Sequence, residues 1–401
     1  MTATGPTRGP CRRCSGPPNW QPRTTRRASW PRRSAALLAE RVGSTDALDR
    51  LLVTGGAGFI GSAYVRDVLG RRDGTRITVL DKLTYAGNEA NLAPVRDDPE
   101  MAARLTFVRG DIADPNAVGP LVGRADAILN FAAESHVDRS ILDPAAFLTT
   151  GVVGVHVLLE ACRSAPGQPR FLQVSTDEVY GSVDVGEADE QAPLAPRSPY
   201  AAAKAAGELL VRSYVITHGI DAVVTRGSNT YGPYHHPEKL IPLFVTNALD
   251  DRPLPLYGDG LQRREWLYVS DHAAAIDLVL RHGMRGETYN VAGASERTNR
   301  EVVSLLLEYL DKPWSLVKQV EDRPGHDRRY AMDGRKLAAL GWQPTMSFEK
   351  GLAATIDWYR ANEAWWRAAR SGEWDDWYLR QYGQRLATAT SALPPGSGVV
   401  D

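Results

Sequence analysis

Two adjacent carboxylates, Asp177 and Glu178, follow a largely apolar run at residues 171–175 and could serve as an acid and a base. An ionised acid at the end of a buried strand costs several kcal/mol unless it is paired, hydrogen-bonded or neutralised. A solvated loop would avoid this cost and is the ordinary interpretation, because acidic residues are mostly exposed. The alternative is a site that raises the pKa of one acid, so that a proton donor and a proton acceptor lie side by side.

A glycine-rich turn, TGGAGFIG at residues 54–61, joins the first apolar run to a segment with helical periodicity. The glycines Gly55, Gly58 and Gly61 would permit a tight turn and would let the backbone approach a pyrophosphate at the positive end of a helix. Glycine triplets also arise by chance in a chain with 36 glycines. The position of this triplet, between the first strand and a helix, favours a dinucleotide site.

Acidic residues at the ends of the next two predicted strands indicate which dinucleotide binds. Asp81 lies 20 residues after Gly61, where a carboxylate can accept hydrogen bonds from a ribose diol and would repel a 2′-phosphate. A helix-capping role is the alternative for this residue. We therefore predict NAD rather than NADP as the cofactor, with Asp111 and Ile112 beside its adenine.

Tyr200 and Lys204 follow Ser198 and Pro199, two residues that favour the start of a helix. Their spacing of four places both side chains on one helical face. There the lysine ammonium would lower the pKa of the phenol, and a cationic nicotinamide would lower it further, so that Tyr200 could act as a base near neutral pH. An exposed pair without a chemical role has the same spacing, so the neighbouring motifs must decide between the two interpretations.

The elements that must position these residues are visible as short apolar runs separated by amphipathic segments. The runs are LLVT (51–54), ITVL (77–80), LTFV (105–108), AILNFAA (127–133), FLQVS (171–175) and AVVT (222–225). Apolar strands that alternate with helices are typical of a parallel sheet covered on both faces, so we predict an α/β fold with a doubly wound parallel sheet of the Rossmann type. After about residue 230 the alternation fades, which predicts a smaller C-terminal lobe that binds the substrate.

We divide the chain into four segments. Residues 1–48 are rich in Arg and Pro and are expected to be a disordered, dispensable tail, because they cannot bury enough apolar surface to offset the entropy of ordering. A nucleic-acid-binding arm or a targeting peptide is the alternative for this segment. Residues 49–229 form the predicted NAD-binding domain, residues 230–385 the substrate-binding lobe and residues 386–401 a loose C-terminal tail.

The composition gives no support to several other classes of protein. With 47 basic and 48 acidic residues the formal charge is −1, so we expect no nucleic-acid partner. No apolar run approaches the roughly 18 residues of a membrane span, and no secretory signal is evident, so a cytoplasmic protein is expected. Cys11 and Cys14 form a CxxC, but no second pair or histidine cluster completes a zinc site, and no metal is predicted.

The glycine turn, Thr176 at a strand end and the pair Tyr200 and Lys204 together resemble the extended short-chain dehydrogenase/reductase family over about residues 50–385. Within that group the chain is similar to the dTDP-glucose 4,6-dehydratase family. The similarity rests on stretches in the same order: DKLTYAGN (81–88), AAESHVDRS (132–140), QVSTDEVYG (173–181), YGPYHHPEKLIP (231–242) and DRPGHDRRYA (322–331).

The resemblance implies a hydro-lyase that uses NAD catalytically on dTDP-glucose. Thr176, Tyr200 and Lys204 would remove the hydroxyl proton at sugar carbon 4 as a hydride passes to NAD. Glu178 would then take the acidified proton of carbon 5, and Asp177 would protonate the hydroxyl that leaves carbon 6. Return of the hydride to carbon 6 would give dTDP-4-keto-6-deoxyglucose. A nucleotide-sugar epimerase or decarboxylase of the same fold and a non-catalytic NAD-dependent regulator are the alternatives.

The same resemblance implies the binding residues. For NAD they are Gly55, Gly58, Phe59, Ile60, Gly61, Asp81, Lys82, Leu83, Thr84, Asp111, Ile112, Ala132, Ala133, Thr150, Tyr200 and Lys204. For the substrate they are Ser135 and Thr176 near the glucose, Asn229, Lys239 and Leu240 near the diphosphate, Pro255, Leu256 and Tyr257 around the base, and Arg264, Asn299, Arg323 and His326 facing the nucleotide diphosphate.

Two further expectations follow from the resemblance. The family usually has Asn-Asn before Tyr-Gly-Pro, whereas this chain has Asn229 and Thr230, so a side-chain contact from the second position to the nicotinamide is in doubt. Helices at residues 145–163 and 199–218 resemble those that pair in family homodimers, so we expect a homodimer.

Overall fold

Parallel strands form the centre of the protein in the computed structural model, which describes residues 1–2, 48–293, 295–370, 372–392 and 394. The strands are β1 (Arg50–Thr54), β2 (Arg76–Asp81), β3 (Leu105–Arg109), β4 (Ala127–Asn130), β5 (Arg170–Thr176), β6 (Ala222–Gly227), β7 (Asn229–Tyr231), β8 (Leu254–Tyr257), β9 (Arg263–Tyr268), β10 (Thr288–Val291), β11 (Ser295–Thr298), β12 (Val317–Val320) and β13 (Thr390–Ser391). The expected disordered tail lies outside the described residues except at residues 1, 2 and 48.

The central sheet has the strand order β10-β6-β5-β4-β1-β2-β3, and its neighbouring strands are all parallel. The order reverses between β1 and β4, because the chain first runs outward through β2 and β3 and then returns to the other side of β1. In sheets of this kind, ligands bind in the crevice outside the carboxyl ends of the strands at the reversal. The predicted doubly wound parallel sheet is therefore confirmed.

Helices cover both faces of the sheet, which explains the apolar runs at the centres of its strands, such as residues 51–53 and 127–129. Successive side chains of a strand point to opposite faces, so that Val53 packs into one core and its neighbour Leu52 into another. The first core includes side chains of helices Phe59–Gly70 and Val269–His282, and the second includes side chains of helix Val155–Ser164. Helices packed on both faces of the sheet thus hold the ends of its strands in place.

The helices that cover the sheets and connect the strands have defined bounds. They are Phe59–Gly70, Ala93–Arg96, Pro99–Ala102, Pro115–Val122, Val137–Leu142, Ala145–Leu148, Val155–Ser164, Pro199–His218, Leu240–Leu249, Val269–His282, Asn299–Leu310, Arg335–Ala338, Phe348–Ala361, Glu363–Ala369 and Glu373–Ala387, with 3₁₀ turns at Glu89–Leu92, Asp177–Tyr180 and Trp314–Leu316 and a π turn at Thr149–Gly154. The continuous helical stretch Ala145–Ser164 is long and apolar enough to cross a membrane. This is weak evidence, because a core helix of a folded protein meets the same criterion.

The helix Pro199–His218 begins and ends as its sequence predicts. The Ser198 hydroxyl accepts a hydrogen bond from the backbone N–H of Ala201 at 3.1 Å, and Pro199 occupies the first helical position. The helix ends at His218, and the next residue, Gly219, has a φ of 70° in the left-handed region that glycine adopts without strain. Because both ends of the helix are fixed, the positions of Tyr200 and Lys204 along the helix are fixed as well.

The C-terminal part of the chain builds a second core around two small sheets, β11-β9-β7 and β13-β12-β8. This core contains many aromatic side chains, among them Trp266, Trp366 and Trp377. One strand of this part, β10, nevertheless joins the central sheet beside β6. The predicted domain boundary at residue 229 stays a prediction, since elements on both sides of it contribute to the central sheet.

Candidate active site

A cavity of about 300 Å³ lies at the carboxyl ends of the central strands and brings most of the predicted site residues together. Those that line it are Gly55, Gly58, Phe59, Ile60, Gly61, Asp81, Lys82, Thr84, Asp111, Ile112, Ala132, Ala133, Ser135, Thr150, Thr176, Asp177, Glu178, Tyr200, Lys204, Asn229, Lys239 and Leu240. The predicted residues outside this lining are Leu83, Pro255, Leu256, Tyr257, Arg264, Asn299, Arg323 and His326. The cavity therefore joins the glycine turn to the two acids.

The glycine turn requires glycine for reasons of space and of backbone conformation. Gly55 has a φ of +69°, and a Cβ there would lie 2.5 Å from the backbone nitrogen of Ala132. A Cβ on Gly61 would lie 2.4 Å from the carbonyl oxygen of Gly55. The helix that follows starts at Phe59, and no side chain among the described residues caps its first turn. This cradle fits a dinucleotide, because the uncapped first N–H groups of the helix are free to bind a pyrophosphate.

The carboxylate of Asp81 is held in place at the edge of the same cavity. Its Oδ2 accepts a hydrogen bond from the N–H of Ala57 at 2.9 Å, and its Oδ1 accepts one from the N–H of Leu83 at 2.8 Å. Burial raises the pKa of Asp81, and these two backbone donors oppose the shift. Each oxygen retains a second lone pair, so the side chain can still accept hydrogen bonds from a ribose diol.

The two adjacent acids lie in a 3₁₀ turn, Asp177–Tyr180, that begins as soon as β5 ends at Thr176. The Thr176 hydroxyl accepts a hydrogen bond from the N–H of Glu178 at 3.3 Å and lies 3.1 Å from Oδ1 of Asp177. Asp177 is only 3% exposed, and its Oδ2 has no hydrogen-bond partner among the described residues. The interpretation of this pair as a solvated loop is therefore wrong.

Burial and the neighbouring charge shift the proton affinities of both acids. Burial, followed by the charge of Glu178, raises the pKa of Asp177 to about 7. Burial also raises the pKa of Glu178, but the charges of Arg323, Lys239 and Arg264 oppose that shift. Asp177 therefore retains a proton near neutral pH, whereas the surrounding cations favour the ionised form of Glu178.

Lys204 is buried and Tyr200 is half-buried in the lining of the same cavity, but the tyrosine is not activated in the way that the sequence predicts. Burial, followed by the charges of Glu178 and Asp177, raises the pKa of Tyr200, and a hydrogen bond with Thr176 opposes the shift. The Lys204 ammonium donates to the carbonyl oxygen of Val174 at 2.5 Å, and burial lowers its pKa to about 8. The expected lowering of the tyrosine pKa by its lysine is thus wrong for these protein groups by themselves.

Two cations extend the site from the acids into the C-terminal part of the chain. Lys239 donates to the carbonyl oxygen of Ser135 at 2.5 Å and lines the cavity. Arg323 forms an ion pair with Asp138 at 3.0 Å. Because the charges of both cations act on the pKa of Glu178, these predicted substrate residues lie within electrostatic reach of the acid pair.

The remaining predicted substrate residues are engaged in contacts of the C-terminal part. Arg264 donates to the carbonyl oxygen of Asp327 at 2.9 Å, and its guanidinium lies 4.1 Å from the ring centre of Tyr330. The His326 ring bonds to Asp322 at 2.6 Å and lies 6.1 Å from the Tyr257 ring. Asn299 donates to Gln262, whereas Pro255 and Leu256 pair with β12.

The sequence interpretation missed several cavity residues, notably histidines. The ring of His235 stacks on Phe59 with centroids 4.1 Å apart, and burial lowers the pKa of His236 to about 3. His272 and Ser228 also line the cavity. The two adjacent histidines in YGPYHHPEKLIP were the available signal for His235 and His236. Among the described residues no cluster of three His, Cys, Asp or Glu side chains could hold a metal ion, and the expectation of no metal stays a prediction.

The doubly wound sheet, the glycine turn and the grouping of Thr176 with Tyr200 and Lys204 define an extended short-chain dehydrogenase/reductase. The family described as GDP-mannose 4,6 dehydratase matches residues 52–355. The dTDP-glucose 4,6-dehydratase of Streptomyces niveus is 52% identical over 80% of this chain and 96% of its own length, and that of Streptomyces antibioticus is 54% identical over 79% of this chain and 94% of its own.

Solved structures give the same result. A double mutant of the dTDP-glucose 4,6-dehydratase of Streptomyces venezuelae, with NAD bound, is 52% identical and has a TM-score of 0.77, covering 80% of this chain and 99% of that chain. The chain therefore belongs to the dTDP-glucose 4,6-dehydratase family of the extended short-chain dehydrogenase/reductases.

Proposed function

We propose that this protein is an NAD-dependent lyase that converts dTDP-glucose to dTDP-4-keto-6-deoxyglucose and water. The observation that carries the proposal is the acid pair at the end of β5, where Asp177 has a pKa of about 7 and Glu178 is surrounded by cations. An elimination needs a base and an acid at the same moment, and this pair supplies both within one turn of the chain.

The first step falls to the groups around Thr176. When bound, NAD would accept a hydride from sugar carbon 4 and later return it to carbon 6. Tyr200 takes the proton of the carbon 4 hydroxyl, and Thr176, which is hydrogen-bonded to Tyr200, orients that hydroxyl. Lys204 donates to the carbonyl oxygen of Val174, so the positive charge that favours the phenolate of Tyr200 would come from the nicotinamide ring of bound NAD.

The elimination falls to the acid pair. A ketone at carbon 4 acidifies the proton of carbon 5, which Glu178 removes, and the electron pair of that C–H bond forms the carbon 5–carbon 6 double bond. The C–O bond at carbon 6 breaks as Asp177 delivers its proton, and water leaves. Glu178 then returns a proton to carbon 5, so that only water is lost from the sugar overall.

Positive charge in the C-terminal part would hold the diphosphate of the substrate. Arg264 and Arg323 carry guanidinium groups of the kind suited to phosphate oxygens, and they would turn to the diphosphate from their present partners Asp327 and Asp138. Lys239 adds a third charge at the cavity wall. We assign Ser135 and Asn229 to the same ligand because both line the cavity. The remaining predicted contacts to the base, Pro255, Leu256 and Tyr257, lie on strand β8.

Mass spectrometry of the product tests the proposal. Purified protein incubated with dTDP-glucose should release a nucleotide sugar that is lighter by one molecule of water, whereas an epimerase would leave the mass unchanged and a decarboxylase would release carbon dioxide from a uronate. The same assay on UDP- and GDP-sugars tests the nucleotide. A protein that bound NAD but left every nucleotide sugar unchanged would favour the regulator instead.

We further propose a homodimer that forms through the helices at residues 145–163 and 199–218. These helices expose large apolar side chains, namely Leu148, Val153, Leu209 and Ile216, which a helix-paired interface would cover. Light scattering of the purified protein should give twice the chain mass of 43.9 kDa, and Leu209→Glu should reduce it. The cytoplasmic location and the absence of nucleic-acid and membrane partners stay predictions.

A further inference from the structure

One wall of the cavity carries a group of buried polar atoms that have no hydrogen-bond partner among the described residues. They are Oγ of Ser175, Oγ of Ser228, Oδ1 of Asn229 and Nε2 of His272, and the cavity touches all four residues. His272 is 1% exposed and Ser228 is 4% exposed. Buried polar atoms in native proteins are nearly always paired, so this wall is suited to a polar group of a ligand.

The position of this wall in the sheet places it at the reacting end of the cavity. In the register of the sheet, Thr176 at the end of β5 pairs with Gly227 at the end of β6, and Ser228 follows directly. A Cβ on Gly227 would lie 2.4 Å from Cε1 of His272, so the histidine ring packs against the backbone of Gly227. The wall therefore adjoins the threonine that contacts Tyr200.

The side chain of Thr230 determines which tautomer of His272 faces the cavity. Its Oγ1 lies 2.7 Å from Nδ1 of His272 and 3.1 Å from the carbonyl oxygen of Ser228. A hydroxyl has one proton, and a carbonyl oxygen can only accept. Both contacts are hydrogen bonds only if the hydroxyl donates to Ser228 and accepts from the N–H at Nδ1. Nε2, which lies against Gly227 in the lining of the cavity, then carries the lone pair.

We propose that Nε2 of His272, with its tautomer set by Thr230, accepts a hydrogen bond from the carboxamide N–H of the nicotinamide, and that the Ser228 hydroxyl donates to the carboxamide oxygen. The inference rests on the proposed NAD-dependent function. The carboxamide is the polar substituent of the nicotinamide ring and offers two N–H donors and one acceptor, which the wall complements. Burial lowers the pKa of His272 to about 4, so the imidazole would be neutral beside the bound cationic ring.

Competition between dinucleotides tests the proposal on the holoenzyme. The protein is incubated with equal concentrations of NAD and 3-acetylpyridine adenine dinucleotide, which lacks the amide N–H, until the bound ratio is constant. The bound dinucleotides are then released with acid and quantified by chromatography. Wild type should retain NAD in about two- to tenfold excess, the worth of one neutral hydrogen bond. Thr230→Val should bring the ratio close to one, and Thr230→Ser, which keeps the hydroxyl, should restore the excess.

A second competitor makes the test independent of the folding of any variant. Nicotinic acid adenine dinucleotide carries a carboxylate that the Nε2 lone pair would repel, so wild type should retain less of it than of the acetylpyridine analogue. An equal ratio in wild type and Thr230→Val, or retention of the carboxylate analogue at the level of NAD, would overturn the assignment. Failure of wild type to retain any of the dinucleotides would instead contradict the proposed function.

Discussion

Asp138 and Asp177 are both almost fully buried, at 4% and 3% exposure, yet they occupy opposite electrostatic environments. Both oxygens of Asp138 are satisfied: Arg323 donates to Oδ1 at 3.0 Å, and Tyr257 and Gln381 donate to Oδ2 at 2.9 and 3.0 Å. Asp177 has the Thr176 hydroxyl at 3.1 Å from one oxygen, a neighbouring carboxylate, and no partner for its other oxygen among the described residues.

The difference in partners reverses the effect of burial on the two pKa values. Burial would raise the pKa of Asp138, but His136 and Arg323 outweigh it and lower the value to about 2. Asp138 titrates below the pKa of His136, which burial lowers to about 3, so both His136 and Arg323 are cationic in that range. At Asp177 burial and Glu178 act together, and the pKa rises to about 7. The partners of a buried acid therefore decide whether it is a structural anion or a proton donor.

The largest expected effect is on catalysis by Asp177 and its neighbour Glu178. Asp177→Asn and Glu178→Gln should each lower the rate of dehydration by roughly 10²–10⁴, the usual contribution of a positioned acid or base. Oxidation at carbon 4 should continue in both variants, because Thr176, Tyr200 and Lys204 are unchanged. The rates are measured by mass spectrometry of the product formed from dTDP-glucose.

Deuterated water separates the two roles in the same variants. Asp177→Asn retains the base and should still introduce deuterium at carbon 5 of unreacted sugar, whereas Glu178→Gln should not. Equal exchange in both variants would mean that the acid and base are assigned wrongly, or that the two carboxylates titrate as one coupled unit.

The second effect is the loss of stability when the carboxylate of Asp138 is removed. Asp138→Ala leaves Arg323 buried without its carboxylate and should lower the free energy of unfolding by about 3–5 kcal/mol, measured by urea denaturation. Glu100→Ala removes an ion pair whose partner Arg72 is largely exposed and should cost at most about 1 kcal/mol. Similar losses in the two variants would show that the buried pair has no special role.

A third effect concerns stability as pH rises. The unfolded chain releases the proton of Asp177 near pH 4 and the folded protein near pH 7, so the wild type loses stability as pH increases through this range. The side chain at position 177 does not titrate in Asp177→Asn. The free energy of unfolding of this variant, relative to the wild type, should therefore rise by up to about 4 kcal/mol between pH 4 and 8. A constant difference between the two proteins in urea denaturation across that range would contradict a raised pKa.

The smallest effect has the opposite sign of pH dependence. Asp138 has a folded pKa of about 2 and an unfolded value near 4, so the stability that it contributes is present above pH 4 and is lost as pH falls through 2. This contribution is about 3 kcal/mol. Asp138→Asn should therefore flatten the acid side of the stability curve and lower stability by a constant amount from pH 5 to 8, where Asp138 does not titrate, as measured by thermal unfolding at a series of pH values.

Local patterns were sufficient to predict the elements and much of the site. Apolar runs and turn residues identified the strands of the central sheet up to β6, and the glycine turn at residues 54–61 marked the first helix. The position of Thr176 at a strand end and the four-residue spacing of Tyr200 and Lys204 also follow from the chain alone. These features were predictable because each depends on residues within about one helical turn or one strand of each other.

The tertiary structure decided what the sequence could not. Thr230 contacts His272, and Arg323 pairs with Asp138, 185 positions away along the chain. The return of β10 to the central sheet and the raised pKa of Tyr200 likewise depend on distant segments. The sequence by itself determined which residues are available for chemistry, because residue type and periodicity are local. Only the packing of distant elements decided which of them are charged, because solvation and charged neighbours set the pKa of a buried group.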